Sequence, residues 1–311
     1  MDSVALGKTG LTPSVMGLGC GGHSRLGLSH GKSEAEAIEI VVEAVELGIN
    51  FFDTAETYGT EEIVGIGLQG VKRDSVIIST KAGVHWNDRR CTGPELHDRV
   101  EASLKRLKTD YIDVFHLHGV MFEDYAYARE ELVPALLQLK EAGKTRFLGI
   151  TEAFAPDPGH RTLSQAVQDD CWEVMMVGFN ILNQSARQRV LPFTKEKGIG
   201  TLCMFAVRRA LSNDDALREV IDLLLDQQLI SDVDPDNPLE FLIAKDVAYS
   251  LQDAAYRFCR WEPGMDIVLS GSGNLQHLRA NFESLRRPPL PAEITERLTA
   301  IFSGVDTITG N

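Results

Sequence analysis

DYIDVFHLHGVMFEDYAYAREELVPALLQLKEAGKTRFLGIT, residues 110–151, contains the repeating unit of this chain. Residues 110–118 form a near-continuous apolar run, residues 129–142 carry apolar side chains at helical spacing up to Gly143, and RFLGIT (146–151) is a second apolar run. Runs without in/out alternation belong to strands buried on both faces. A helix between two such strands predicts a parallel pair joined by a crossover.

The same unit recurs in both directions. Upstream lie an apolar run from Val15 to Cys20, a helical stretch at 33–47 with Ser33 as N-cap and Gly48 past its end, and NFFDT at 50–54. A helix at about 61–69, VIIST at 76–80 and a helix at 94–107, with Pro94 in its first turn, complete that half. Downstream follow a helix at 161–169, EVMMVGF (173–179), a helix at 185–197, GTLCMF (200–205), IVLSG (267–271) and a helix at 274–285. Eight units in series predict a (β/α)8 TIM barrel, one domain over 1–311, preceded by an N-terminal β-hairpin around Gly7 to Gly10. Residues 206–262 exceed a simple connection and form a long insertion after strand 7. It holds a helix at LREVIDLLLDQQL, a polar Asp/Pro segment at 231–238 and a helix near 246–259, and such excursions decorate the ligand-binding face. An open doubly wound sheet would carry GxGxxG after its first strand, whereas residues 17–22 read GLGCGG and lead into SRLGLS.

Composition narrows the function. With 31 Lys and Arg against 45 Asp and Glu, the net charge of −14 argues against nucleic-acid binding, which needs clustered cations. Cys20, Cys91, Cys171, Cys203 and Cys259 are scattered and form no CxxC pair, the usage of free thiols in a reducing compartment. MDSVALGKTG lacks the basic and apolar segments of a secretory signal, and no apolar run approaches membrane-spanning length. A cytoplasmic protein without membrane association is expected.

In a barrel, side chains at the carboxyl ends of strands converge on one mouth. Asp53 ends the second strand, Tyr58 follows five residues later, Lys81 ends the third strand and His118 the fourth. Singly, an Asp caps helices, a Tyr packs, a Lys is solvated and a His is a satisfied polar residue; four at consecutive strand ends make a chemical set. Reducing a carbonyl by hydride transfer requires an acid for the developing alkoxide. Tyr58 can supply that proton, Lys81 can favour its release, Asp53 can pair with Lys81, and His118 can bind the carbonyl oxygen.

GINFFDTAETYGTEEIVGIGL, SLKRLKTDYIDVFHLHG, STKAG and LLQLKEAGKTRFLGIT resemble motifs of the aldo-keto reductase family, and the similarity runs from about Leu6 to Leu285. The resemblance implies NAD(P)H-dependent carbonyl reduction (or the reverse oxidation of an alcohol or sugar), with Tyr58 as general acid, Lys81 lowering its pKa, Asp53 pairing with Lys81 and His118 orienting substrate. The second half departs from the pattern of the family, as in a divergent bacterial-type branch. Thr151 and Glu152 stand where Ser-Asn commonly holds the nicotinamide carboxamide, Met176 where a glutamine is common, and Met204, with Phe205 beside it, where a tyrosine stacks on the ring. VLSGSGNLQHLRANF resembles the adenosine-phosphate site, with Gly271, Ser272, Gly273 and His277 at its positions, Arg279 as a possible phosphate clamp and Asn281 for adenine. NADP(H) is the default cofactor implied, with NAD(H) a close alternative because the usual basic residues are missing. His85, Trp86, Met121 and Phe122 are the expected substrate-lining residues, and Arg208 and Arg209 can recognise an anionic group or form a solvated surface pair. The partner is a small carbonyl or sugar molecule, and the oligomeric state is open.

Two other functions compete. His116 and His118 form an HxH pair on one strand face, the arrangement of metal-dependent hydrolase barrels, with His85 the nearest further donor. The altered nicotinamide positions also suit a non-catalytic, nucleotide-sensing barrel, as in relatives that serve as channel subunits.

Overall fold

The computed structural model describes residues 1–244 and 246–311. Eight parallel strands close into a barrel: β1 Met16–Gly19, β2 Phe51–Asp53, β3 Ile77–Gly83, β4 Ile112–Val120, β5 Thr145–Glu152, β6 Val174–Gly178, β7 Gly200–Met204 and β8 Ile267–Ser270. Each pairs with its successor, and β8 returns to β1 in the register Met16↔Val268. The (β/α)8 barrel read from the sequence is the fold of this chain.

The principal outer helices are α1 Glu34–Glu46, α2 Glu61–Gly67, α3 Gly93–Leu107, α4 Val133–Glu141, α5 Arg161–Ala166, α6 Leu191–Lys197, α7 Asp214–Asp226, α8 Leu251–Arg260, α9 Leu275–Arg286 and α10 Ala292–Phe302. Local chemistry sets their starts. Ser33 and Glu36 exchange backbone hydrogen bonds in a capping box that opens α1, and Thr92 and Glu95 do the same for α3. Pro192 in the first turn of α6 splits the expected 185–197 helix into Ala186–Arg189 and Leu191–Lys197, because a proline is tolerated only where its missing N–H is not needed. The excursion between β7 and β8 contributes α7 and α8.

Two apolar regions hold the layers together. Phe51, Ile77, Val114, Val174, Met176, Leu202, Met204 and Ile267 fill the barrel interior, while a larger cluster packs helices on the outer face of the strands. The N-terminal segment plugs this interior with Leu6 and Leu11. Its hairpin is reduced to the single bridge Ser3↔Ser14 with flanking bonds from Val4 N to Pro13 O and Leu6 N to Leu11 O, so it has the expected turn but no regular strand ladder. α10 lies beyond the elements read from the sequence, although Ile294, Leu298 and Phe302 recur at helical spacing. Burial of Leu298 and Phe302, at about 1.5–3 kcal/mol each, fastens it to the barrel. The chain after it returns across the mouth, where Asn183 Nδ2 donates to Ile308 O and Asn180 Nδ2 to Thr309 O. Among the described residues no helix is long and apolar enough to cross a membrane.

Candidate active site

Parallel registry brings the strand ends together. Asp53 on β2 lies opposite Ser79 on β3, whose hydroxyl donates to Asp53 Oδ1 at 2.7 Å. Two residues further along the same strand face, Lys81 donates from Nζ to both Asp53 oxygens at 2.7 Å and to Thr54 O at 2.6 Å. All three ammonium protons are therefore engaged, and the side chain is only 1% exposed. Lys81 Nζ stands 5.3 Å from the centroid of the Tyr58 ring. Tyr58 Oη lies 3.2 Å from His118 Nε2, with the rings edge to face at 5.5 Å. The four residues singled out at the strand ends thus form one connected group.

His118 owes its direction to a bulge. The β4–β5 register slips between Leu117 and Val120, with Gly119 at φ +58°, and such irregularities re-aim a side chain. Gly119 N donates to Thr151 Oγ1 at 2.7 Å, so Thr151 buttresses the bulge from β5.

Tyr58 sits in the short helical turn Glu56–Tyr58, and that turn is pinned from three sides. Arg99 of α3 forms a buried ion pair with Glu56 and donates to Gly83 O at 2.9 Å, while Arg25 Nε donates to Tyr58 O. The Trp86 ring covers the Arg99 guanidinium at 4.7 Å. Gly21 flanks the tyrosine so closely that an added Cβ would fall 2.2 Å from its Cε2. Glu56, Arg99 and Arg25 were not legible as site residues, because the Glu56–Arg99 pair joins positions 43 apart with no local spacing signal.

Burial pushes the Tyr58 phenol above its ordinary pKa of 10; Lys81 acts to lower it and Asp53 to raise it. The expected lowering by Lys81 is present but outweighed by the loss of water around the buried phenol, with the Asp53 charge adding to the rise. Tyr58 is consequently a protonated acid through neutral pH. Burial, and then the Lys81 charge, depress His118 to about 3, so it is a neutral imidazole. His116 shares the strand face of His118, as the HxH spacing predicts, but is fully buried against Gly149, where an added Cβ would fall 2.2 Å from its Nδ1. Neither of its ring nitrogens has a hydrogen-bond partner among the described residues, and burial holds it neutral. Among those residues no group of three His, Cys, Asp or Glu side chains converges on a metal position, and His85 faces Asp124 at 3.5 Å instead.

The family model described as the aldo/keto reductase family matches residues 16–302. The chain belongs to that family. An uncharacterized oxidoreductase of Bacillus subtilis is 28% identical over 93% of this chain and 92% of its own. L-galactose dehydrogenase of Arabidopsis thaliana is 35% identical over 204 residues, 64% of this chain and 63% of that one. In fold the chain is similar to a holo aldo-keto reductase structure from Bacillus halodurans, with a TM-score of 0.75, 24% identity and coverage of 99% and 98%.

Members of the aldo-keto reductase family use nicotinamide cofactors, and this member has rebuilt the place expected for the carboxamide. Glu152 does not present a free acceptor: it is completely buried, accepts from Gly178 N at 2.8 Å and lies 2.9 Å from His160 Nδ1 through each oxygen. Phe154 stacks on His160 at 5.4 Å and on Phe205 at 6.0 Å, and the Arg208 guanidinium covers Phe205 at 4.0 Å. Phe205 is therefore sandwiched rather than presented as an open wall. Met176 and Met204 pack in the barrel interior with Val174 and Leu202.

At the adenosine end, Asn281 Nδ2 donates to Ser270 Oγ at 3.0 Å, leaving its carbonyl oxygen free. Asn274 caps α9 by accepting from Gln276 N and His277 N, so those two donors are already satisfied, while Gly273 abuts Gly27 and Ser272 Oγ accepts from Asn274 N at 3.0 Å. Gly271 and His277 are exposed at this end. Arg279 is engaged bidentately by Glu43 at 2.7 and 3.0 Å. A nucleotide would be held here by the Asn281 carbonyl oxygen and the exposed Gly271 and His277, since the Thr151 and Ser272 hydroxyls are buried and Arg279 is taken by Glu43. Among the expected substrate residues, exposed Phe122 lies beneath the Arg161 guanidinium at 4.0 Å, Met121 is half-buried beside it, and His85 and Trp86 form a small hairpin with Arg89–Arg90.

Proposed function

We propose that this chain reduces an aldehyde or ketone to an alcohol, or oxidises the alcohol or sugar in reverse, with Tyr58 as general acid. The observation that carries the reading is the 3.2 Å contact between Tyr58 Oη and His118 Nε2 beside the buried Lys81–Asp53 pair. A bound nicotinamide nucleotide supplies the hydride, NADP(H) by family habit and NAD(H) as the close alternative. The carbonyl oxygen lodges between Tyr58 Oη and His118 Nε2, which donate to it as its charge develops. Tyr58 passes its proton to that oxygen, and Lys81 stabilises the phenolate left behind until solvent reprotonates it. In the oxidative direction the phenolate is the base.

Titration with NADPH and NADH, followed by protein fluorescence, tests the cofactor; Tyr58→Phe tests the acid. The variant is expected to bind nucleotide as the parent does and to lose at least about 10²–10⁴ in turnover. Normal turnover by it removes Tyr58 from the mechanism. The buried Glu152–His160 pair and covered Phe205 favour a nucleotide-sensing barrel as the second reading. Tight nucleotide binding without turnover of any carbonyl would select it.

A further inference from the structure

We propose that Arg25 is a positioning residue for the general acid: with Gly21 it forms a clamp that grips the ring and the backbone of Tyr58 at once. This deepens the carbonyl-reductase reading and rests on its assignment of Tyr58. The clamp belongs to the loop after β1, and three contacts build it. Gly21 lies against the ring, where an added Cβ would meet Cε2 at 2.2 Å. The Arg25 guanidinium donates from Nε to Tyr58 O and lies along the next residue, where a Cβ on Gly59 would fall 2.6 Å from Nη2. Arg25 N donates to Gly21 O at 3.1 Å, which ties the two grips together. Cys20 N donates to Asp53 O at 2.7 Å, so the clamp is fastened to the residue that pairs with Lys81.

The backbone shows that this contact is imposed by the surroundings. Arg25 (φ +47°) and Leu26 (φ +58°) stand consecutively in the left-handed region, which residues with a Cβ disfavour. Among the described residues the other adjacent non-glycine pair there is Asn87–Asp88, built from the two residue types that tolerate it. Strain of this kind persists only where the structure over-determines it, and it gathers at functional sites. An asparagine or a glycine would fit position 25 without strain. What arginine adds is its guanidinium, and Tyr58 O is the one hydrogen-bond acceptor that group has among the described residues.

The rest of the loop holds the clamp in place. Leu26 is fully buried in the apolar cluster outside the strands. Gly27 abuts Gly273, where an added Cβ would fall 2.4 Å from Gly27 Cα and 2.8 Å from Ser24 Oγ. The loop is thereby wedged between the segment that opens α9 and the Glu56–Tyr58 turn, and the left-handed pair aims the guanidinium at the tyrosine.

Arg25→Asn separates positioning from folding, because asparagine accepts the left-handed backbone and removes the guanidinium. On the carbonyl that the parent turns over best, kcat is expected to fall at least about tenfold, with nucleotide affinity by fluorescence titration within about twofold. Arg25→Lys keeps a donor on a long stem and should recover part of the loss. Lys108→Asn is the control: Lys108 is left-handed too, but it ends α3 at the opposite end of the barrel, and its variant keeps parental kinetics. Ultraviolet titration of the Tyr58 phenol in nucleotide-free protein, taken as the difference from the matching Tyr58→Phe variant, reads the clamp without turnover. The parent phenol ionises above 10 because it is buried, and in Arg25→Asn it should ionise closer to 10 as the released ring gains water. Parental kcat in Arg25→Asn overturns the proposal. So does an unchanged ionisation, whatever happens to the melting temperature, since the arginine would then serve only the fold. Loss of nucleotide affinity with kcat intact also overturns it, because the guanidinium would then serve the nucleotide. If the parent turns over no carbonyl, a lowered ionisation in Arg25→Asn still upholds the clamp, and it is the carbonyl-reductase reading that fails.

Discussion

Replacing Asp53 with asparagine isolates the charge at the centre of the site. The parent pairs a fully buried ammonium with a buried carboxylate at 2.7 Å. At that distance, with an effective dielectric of about 20, the attraction is about 6 kcal/mol. Desolvation of both ions offsets part of it. The cost of the single substitution is therefore about 3–5 kcal/mol, the usual penalty for leaving one buried charge alone. At about 2–4 °C per kcal/mol, Asp53→Asn should melt roughly 6–20 °C below the parent by circular dichroism. Turnover should fall roughly 10²-fold or more, because Lys81 then loses the bidentate anchor that keeps it beneath Tyr58. The double variant Asp53→Asn/Lys81→Met removes both charges at similar volume and should regain at least half of the lost stability, but none of the activity. A single variant that melts within about 2 °C of the parent would refute the reasoning, as would a double variant that melts below the single one.

Two further outcomes follow from the same geometry. Because burial raises Tyr58 above its ordinary value of 10 and depresses His118 to about 3, the protonated phenol persists to higher pH than free tyrosine and the neutral imidazole to lower pH than free histidine. The kcat/KM for carbonyl reduction should then show no bend between about pH 5 and 9 and should fall only as Tyr58 ionises; a bend near neutrality would contradict the assignment. Gly21→Ala places a methyl 2.2 Å from Tyr58 Cε2, so the ring must move off His118. Activity is expected to drop about 10²-fold with nucleotide affinity retained, and parental kinetics in this variant would show that the ring position is not critical.

What the sequence determined by itself was local. Apolar runs, helical spacing and caps such as Ser33 and Pro94 depend on neighbours a few residues away, and they delivered the barrel, the order of its units and the four residues at consecutive strand ends. α10 was written in the same code at Ile294, Leu298 and Phe302, beyond where the reading stopped. The tertiary structure decided everything that depends on desolvation and on partners far along the chain. Glu152 looks like an available acceptor until His160 and Gly178 close around it, and Arg279 looks like a phosphate clamp until Glu43 engages it from α1. The rise in the Tyr58 pKa has the same origin: the sequence places a lysine nearby, but only packing fixes how much water the buried phenol loses and brings the Asp53 charge to add to the rise.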